Sequence, residues 1–189
     1  TRIDFINQLY GQGDLKRAQR RKARFINTTM VATLLGAVAS DALESGQVVS
    51  GVGGQYNFVA MAHALPDARS ILMLRATHDN ADGLHSSIVW NYGHVTIPRH
   101  LRDIVITEYG VADLRGQVDS EVVKRLIAIA DSRFQPGLIQ QAQAHGKLPA
   151  DYVLPERYRH NLPAALDAKL HPWSQVGLLP AFPFGTDLT

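Results

Sequence analysis

The chain has 189 residues, of which 46% are hydrophobic and 19% are charged, so it fits one ordinary folded domain and is not a disordered chain. It contains no cysteine, which excludes disulfide frameworks, cysteine-ligated zinc, iron–sulfur clusters and thiol nucleophiles. The formal net charge is only +2, and no apolar run is long enough to suggest a membrane-spanning helix.

The N-terminal region combines an unusual start with a strongly basic run. Thr1 is not an initiator methionine and no signal-peptide pattern follows it, so we expect a cytoplasmic protein and a piece of a longer one. Between positions 14 and 24, six basic residues stand against one acid, which leaves the rest of the chain with a net negative charge. The run is typical either of a solvated helix start or of a contact with an anion, such as nucleic acid or a phosphorylated cofactor. The six basic residues are Lys16, Arg17, Arg20, Arg21, Lys22 and Arg24.

The middle of the chain alternates between predicted strands and predicted helices. Apolar and β-branched runs bounded by turn residues predict strands over 24–32, 48–50, 70–76, 87–92 and 103–107. Helices are predicted over 56–65, closed by Pro66, then from an N-cap at Asp119 with Glu121 in its first turn, and from Pro136 to Gly146. The polar stretch 78–85 is predicted to be a mobile loop. Short buried strands interleaved with helices indicate an α/β fold, an open sheet flanked by helices on both faces.

Proline marks the main change in composition. Seven of the nine prolines lie within positions 136–189. We therefore expect a basic lead-in over 1–23, a packed α/β domain over 24–146 and a Pro-rich C-terminal extension over 147–189 with short helices. Trp173, Phe182 and Phe184 could pack this extension on a neighbour or on an absent domain.

Three glycines in four residues make 50–55 the first candidate site. Gly51, Gly53 and Gly54 follow the predicted strand 48–50 and precede a helix, where free N–H groups can hold a phosphate or a developing oxyanion. A tight turn that needs positive φ angles is the alternative. The segment is not a dinucleotide fingerprint, because Tyr56 stands where the third glycine would be, and it is not a P-loop.

A second candidate is the carboxylate at the end of the apolar strand 103–107. Ligands bind at the carboxyl ends of strands in open α/β sheets. Glu108 alone among the four glutamates directly follows a buried strand. Its alternative role is that of a hydrogen-bonded strand-end carboxylate, paired with Arg99 or Arg115.

The histidines offer weaker candidates. The loop 78–85 holds two histidines and two aspartates, but Ala81 and Gly83 occupy positions where a calcium loop needs oxygen ligands, so we predict no metal site. Asn91, His94 and His100 lie near strand ends, where they would either line a cleft or serve as turn and packing residues.

Three segments taken together resemble a known family. They are Ser50-Gly-Val-Gly-Gly-Gln-Tyr-Asn-Phe58, Val95-Thr-Ile-Pro-Arg99 and Ile104-Val-Ile-Thr-Glu-Tyr-Gly-Val-Ala-Asp-Leu-Arg-Gly116. The combination resembles the C-terminal domain of the acetyl-CoA hydrolase/transferase family, which includes acetate- and 4-hydroxybutyrate-type CoA-transferases, over roughly residues 24 to 145. The resemblance implies a CoA-transferase-like α/β fold and the second of two similar domains. The implied partners are acyl-CoA, a small carboxylate and a missing N-terminal domain of the same protein.

The resemblance also implies roles for individual residues. Gly53 and Gly54 match the loop that lies against CoA and the reacting carbonyl, and Gly51, Gln55 and Phe58 complete the implied CoA-binding set. Glu108 matches a strand-end acid near the site, so the implied catalytic residues are Glu108, Gly53 and Gly54. The implied cofactor is coenzyme A, carried as acyl-CoA, without a metal. In the family a glutamate carboxylate attacks the thioester, and an acyl-glutamyl anhydride and a glutamyl-CoA thioester follow.

Several positions depart from the family pattern and leave alternatives open. The stretch 5–14, which corresponds to the family's nucleophilic region, contains no glutamate and has Asp14 as its nearby carboxylate. Ala39 and Ser40 stand for an Asn-Ser pair, and Asn57 replaces an aspartate. One hypothesis is the C-terminal domain of an acyl-CoA transferase or hydrolase, and another is a non-catalytic CoA-binding or regulatory module. Nucleic-acid binding through the basic run is disfavoured, because no aromatic residues interleave with it. A homodimer is left open.

Overall fold

The computed structural model of the chain describes residues 13–180, which form nine strands and five α-helices. The strands are β1 Arg24–Thr28, β2 Val31–Thr33, β3 Val38–Ala39, β4 Arg69–Met73, β5 Thr77–Asn80, β6 Gly83–Ser86, β7 Ile88–Val89, β8 Ile104–Thr107 and β9 Gly110–Asp113. The helices are α1 Gly13–Gln19, α2 Gln55–Ala64, α3 Asp119–Ala128, α4 Gln135–Ala144 and α5 Pro163–Gln175. Two short 3-10 helices span Arg99–Leu101 and Glu156–Tyr158. None of the helices in this part of the chain has the length and apolarity needed to cross a membrane.

The main sheet has four strands in the order β1-β4-β8-β9. Strands β1, β4 and β8 run parallel, and β9 returns antiparallel to β8. Thr28 pairs with Met73, and Met73 pairs with Ile106. The carboxyl ends of the three parallel strands therefore lie together at one end of the sheet, called here the carboxyl end, and the opposite end is called the amino end.

Helices cover the main sheet because each carries an apolar stripe. On α3, Val122, Val123, Leu126 and Ile127 are fully buried at helical spacing, and α3 packs against β9. Helix α2 packs against β1 and β4 through a smaller cluster that includes Met61 and Leu65. The predicted α/β architecture, a sheet flanked by helices, is confirmed.

A second, three-stranded sheet in the order β3-β2-β7 explains a correction to the predicted strand 24–32. That run breaks at Thr29 and Met30. The Thr29 N–H donates to the Met73 carbonyl at 2.9 Å in the main sheet, whereas the Met30 N–H donates to Ala39 at 3.1 Å in the second sheet. The chain therefore passes from one sheet to the other within two residues.

Two other local predictions are wrong. No strand forms over 48–50, where Val48 makes only an isolated bridge to Ala42. The stretch 78–85 is a hairpin of β5 and β6 instead of a loop, with His78 paired to His85. Its residues are mostly polar and exposed, so it lacks the alternation that marks a half-buried strand.

The predicted helices are confirmed, but the N-cap of α3 is not. Val118 occupies the N-cap, and Asp119 is the first helical residue. The Asp119 carboxylate instead accepts hydrogen bonds from Arg99, Arg102 and Lys147. Strand β9 was not predicted, because four residues beginning with a glycine carry too little apolar pattern.

The region after Gly146 divides into a packed and an exposed part. Leu148 and Leu154 belong to the main core, and the Asn161 side-chain amide donates to two carbonyls at the end of α3. Helix α5 has no buried residue, and Trp173 is 55% exposed. Phe182 and Phe184 lie outside the described residues, and the division at residue 146 stays a prediction.

Candidate functional site

The glycine loop, residues 51–54, lies at the carboxyl end of the main sheet. The buried Gln55 side chain sets this position, because its Nε2 donates to the Thr28 carbonyl at the end of β1 at 2.9 Å. Gly53 has a φ of +59°, in the left-handed region that favours glycine. A Cβ on Gly51 or Gly53 would meet no atom within 4 Å, so both face open space.

Gly54 has a different role in the loop. It is the N-cap of α2, and a Cβ there would lie 2.9 Å from the ring of Phe58. The Phe58 ring in turn stacks on Phe25, with their centroids 6.0 Å apart. Because position 54 has no side chain, the Phe58 ring can pack against the backbone at the start of α2. The first N–H groups of a helix have no partner within the helix and are available there.

Asp41 holds the segment before the glycine loop in place through hydrogen bonds. Its carbonyl accepts the N–H groups of Val49 and Ser50 at 2.8 and 3.2 Å. Its carboxylate accepts hydrogen bonds from Thr96 and, at 3.1 Å, from His94. The Thr96 hydrogen bond is the largest influence and lowers the pKa of Asp41, with burial opposing and His94 assisting. The carboxylate is therefore ionised at neutral pH and holds two chain segments together.

A cleft of about 520 Å³ opens beside the glycine loop. The end of β1 forms one wall, and Ser40, Ser50 and Met73 complete it. Apolar side chains stand exposed around this region, with Ile26 at 57%, Tyr56 at 46% and Phe58 at 43%. The surface at this end of the sheet thus combines backbone N–H groups with apolar area.

Glu108 lies where the structure turns from β8 into β9, at the same end of the sheet. Its side chain is exposed, and Oε2 accepts the Ala76 N–H at 2.9 Å. This contact fits the alternative role of a hydrogen-bonded strand-end carboxylate, but the pairing with Arg99 or Arg115 that went with that alternative does not form. Arg99 binds Asp119 and Arg115 binds Asp103, both at the amino end of the sheet. Glu108 is therefore not held by an arginine within the described residues.

Glu108 opens onto a second, larger cleft of about 1430 Å³. The β5–β6 hairpin forms one side of it, with His78 and His85 stacked at 5.8 Å between ring centroids. Asn91 lines the same cleft, as the sequence allowed. Thr28 and Met73 line both clefts, so the two openings adjoin.

The glycine loop and Glu108 share an end of the sheet but do not touch through hydrogen bonds. The loop is tied to β1, and Glu108 ends β8, with β4 between them. Two strand spacings correspond to about 10 Å. A ligand that contacts both must therefore be extended and must pass over the ends of β1 and β4.

A buried network fixes the residue that follows Glu108. The Tyr109 hydroxyl donates to the fully buried Asp131 at 3.1 Å, and Arg133 donates to the same carboxylate through Nε and Nη2 at 2.8 and 2.7 Å. Burial, followed by the charge of Asp131, raises the pKa of Tyr109, so its phenol stays neutral. Sequence reasoning missed this cluster, since Tyr109 and Asp131 are 22 positions apart.

The structure places two residues of the basic run, Arg20 and Arg24, away from the glycine loop. Arg24 lies at the start of β1, paired with Arg69 at the amino end of the sheet, and its guanidinium donates to the Asp67 carbonyl. Arg20 contacts the Met61 sulfur at 3.1 Å. Within residues 13–180, no group of three or more histidines, aspartates or glutamates is placed to hold a metal ion.

Comparison with known proteins places these features in context. A family model described as the acetyl-CoA hydrolase/transferase C-terminal domain matches residues 1–142. The chain is 32% identical to the 4-hydroxybutyrate coenzyme A transferase of Clostridium kluyveri over 117 residues, which is 61% of this chain and 27% of that protein. It is also 32% identical to the butyryl-CoA:acetate CoA-transferase of Anaerostipes caccae over 122 residues, 62% of this chain and 27% of that protein. The chain thus spans less than a third of these relatives.

Solved structures agree with the sequence matches. RipA from Yersinia pestis is 32% identical and superposes with a TM-score of 0.59, covering 70% of this chain and 28% of that one. A point mutant of RipA superposes with a TM-score of 0.63 at 32% identity, over 70% of this chain and 30% of that one. The matched part of the chain therefore has the fold of a segment of RipA.

Proposed function

Because the chain belongs to the acetyl-CoA hydrolase/transferase family, as a C-terminal domain, we propose that it is the CoA-binding part of an enzyme that moves CoA between small carboxylic acids. The observation that carries the proposal is the glycine loop at the start of α2, which opens onto a cleft at the carboxyl end of the parallel strands. Transfer to water, which would make the enzyme a hydrolase, differs only in the acceptor.

The glycine loop supplies the binding chemistry in this proposal. Gly53 and Gly54 present backbone N–H groups to an oxygen of the bound CoA arm, about 10 Å from the carboxylate of Glu108. Gly51 leaves room for CoA to approach the backbone closely. Gln55 holds the loop against β1, and Phe58, which is 43% exposed, offers an apolar surface to the pantetheine arm.

Glu108 is the carboxylate that we assign to the chemical step. The pantetheine arm would pass over Thr28 and Met73, which line both clefts, and bring the thioester to Glu108. A carboxylate oxygen adds to the thioester carbon, the C–S bond breaks, and CoA leaves as its thiolate, which leaves an acyl-glutamyl anhydride. The thiolate then attacks the glutamyl carbonyl and expels the acyl group as a carboxylate, which leaves a glutamyl-CoA thioester. An incoming carboxylate reverses these steps.

A further domain of the same protein completes the site in this proposal. The curated relatives are more than three times as long as the part that the chain matches. Ile26 on the outer strand β1 is exposed and lines the same cleft as the exposed Val52. An N-terminal domain packed there would cover this apolar surface and exclude water from the thioester.

A calorimetric titration with acetyl-CoA, with ATP as the control anion, tests the binding step. We expect acetyl-CoA to bind and ATP to bind more weakly. Gly54→Val should weaken acetyl-CoA binding by about tenfold or more, because the new side chain meets the Phe58 ring and forces this ring away from the helix start. Gly137→Val is the matched control, since Gly137 lies on α4 with open space around it. Equal binding of ATP, or equal effects of the two substitutions, would contradict the proposal.

The non-catalytic CoA-binding module is the second candidate, and Ala39 and Ser40 favour it, because they replace the family's Asn-Ser pair. Mass spectrometry of the chain after incubation with acetyl-CoA separates the two candidates. Acyl or CoA mass on Glu108, absent in Glu108→Gln and retained in Asp14→Asn, supports catalysis by Glu108. Binding that still gives no adduct when the further domain is present supports the non-catalytic module.

A further inference from the structure

A separate pocket lies at the amino end of the main sheet, away from the glycine loop. It has a volume of about 380 Å³ and is formed where four segments meet: the end of α2, the first 3-10 helix, the β9–α3 connection and the start of α3. The residues that line it, named here the arginine pocket, are His63, Arg99, His100, Arg102, Arg115, Gly116, Gln117 and Asp119.

Asp119 is the only carboxylate among the residues that line this pocket. It is shared by Arg99, Arg102 and Lys147, at 3.1 to 3.2 Å. The Lys147 hydrogen bond is the largest influence on its pKa and, with the two arginines, lowers it to about 2. One permanently ionised carboxylate is therefore surrounded by three cations.

The neighbouring charged groups do not neutralise the excess of positive charge around Asp119. Asp103 accepts hydrogen bonds from Arg69 and Arg115, and Asp113 contacts Arg69 at 3.2 Å. Over both groups, five cations therefore face three carboxylates, which is a net excess of two positive charges. Such an excess in a concave site attracts anions.

Arg102 and Arg115 use their guanidinium groups for contacts within the protein, whereas Arg99 uses only one of its nitrogens. Arg102 donates to two carbonyls as well as to Asp119, and Arg115 donates to Ala68 and Asp103. Arg99 reaches Asp119 through Nη1 only, and its side chain is 55% exposed. Nε and Nη2 of Arg99 can therefore donate to a ligand.

The histidines and Gly116 complete the pocket. His63 Nε2 lies 2.9 Å from the Leu101 carbonyl, so this nitrogen carries the proton and Nδ1 is left to accept or, when protonated, to donate. His100 is exposed beside Arg99. Gly116 has a φ of +72°, and a Cβ there would meet no atom within 4 Å. The opening beside Gly116 is thus free of side chains.

We propose that the arginine pocket binds the phosphoryl group of a small phosphorylated metabolite, with Arg99 and His100 as the ligand-contacting residues and Arg102 and Arg115 as the rigid frame. The net excess of two positive charges matches a phosphoryl dianion better than a singly charged carboxylate. A tetrahedral anion can also accept hydrogen bonds from several directions at once. The donors of this pocket come from different segments and therefore suit such an anion. A volume of about 380 Å³ admits a small ligand and excludes a nucleic-acid duplex. The proposal does not rest on the proposed CoA-transferase function.

Titration of the isotope-labelled chain with inorganic phosphate, followed by NMR at constant ionic strength, tests the proposal. We expect the amide signals of residues 99–101 and 115–117 to shift, and acetate at the same concentration to shift them less. Saturating acetyl-CoA distinguishes the two sources of phosphate groups. Phosphate should still bind in its presence, whereas competition would assign the pocket to CoA itself and overturn the proposal.

Substitutions test which residues bind the ligand. Arg99→Gln should weaken phosphate binding by about tenfold, the loss of one charge-assisted hydrogen bond. Arg157→Gln, which removes the same charge outside the pocket, should leave it unchanged. Gly116→Asp should abolish binding and Gly116→Asn should retain more of it, because both side chains tolerate a positive φ and differ in charge. Equal effects within either pair, or shifts confined to residues 50–58, would overturn the proposal.

Discussion

Asp119 joins three segments that are distant in sequence, so neutralising it is a sensitive test of the amino end of the sheet. Its carboxylate, at the start of α3, meets Arg99 and Arg102 around the first 3-10 helix and Lys147 after α4. Asp119→Asn keeps the shape of the side chain and removes its charge. We expect a loss of stability at neutral pH that disappears in acid.

The magnitude follows from the pKa of Asp119. A fall from the ordinary value of 3.8 to about 2 corresponds to roughly 2.4 kcal/mol of stability. The side chain is 27% exposed, and solvent screening reduces this to about 1–2 kcal/mol. Because the folded pKa lies below the unfolded one, the contribution is fully present above about pH 5 and is lost as the pH falls toward 2.

Urea unfolding of both proteins between pH 7 and pH 3 measures this contribution. The difference in free energy of unfolding between the chain and Asp119→Asn should be largest at pH 7 and should shrink steadily below pH 4. Asp151→Asn, at an exposed aspartate, should show little difference at any pH. Equal stability of the Asp119 variant at pH 7, or a difference that does not change with pH, would refute the reasoning.

Three other substitutions probe the site and the core. Asp41→Asn should weaken acetyl-CoA binding by about tenfold in calorimetry, because it loosens the segment before the glycine loop, while Asp82→Asn, which alters a similar contact to a histidine on the hairpin, should not. Leu126→Ala should lower the free energy of unfolding in urea by about 3 kcal/mol, and Leu170→Ala on the exposed α5 by less than about 0.5 kcal/mol. Tyr109→Phe should cost about 1 kcal/mol in the same assay without changing acetyl-CoA binding, since its hydroxyl bonds only to a buried aspartate.

The elements that the sequence predicted correctly are those whose own residues specify them. Strand β8 is an apolar run bounded by polar residues, and α2 is closed by Pro66. The hairpin of β5 and β6 was missed for the opposite reason. Its polar residues show no burial pattern, and their strand conformation comes from pairing with each other.

The candidate site also has parts that the sequence predicts and parts that it does not. The glycine loop and Glu108 could be identified because adjacent residues define them. The contacts that hold the loop could not, since Asp41 lies 53 and 55 positions from His94 and Thr96. No local periodicity relates residues that meet only after two sheets have formed. The position of His94 near a strand end makes it a candidate from sequence, but its partner Asp41 lies in no pattern of its own.

The amino end of the main sheet is fixed by buried hydrogen bonds, whereas the carboxyl end carries the open glycine loop. Glycines lose the most conformational freedom on folding, so a loop that contains three of them needs a rigid support. The amino end supplies rigidity, because the fully buried Asp103 side chain accepts hydrogen bonds from Arg69, Arg115 and the Ser70 N–H and so ties β4, β8 and β9 together. Removing either arginine would leave this buried carboxylate with one charged partner fewer, which is costly. With the strands fixed at that end, the carboxyl end can carry an open loop and an exposed carboxylate, the two features on which the proposed function rests.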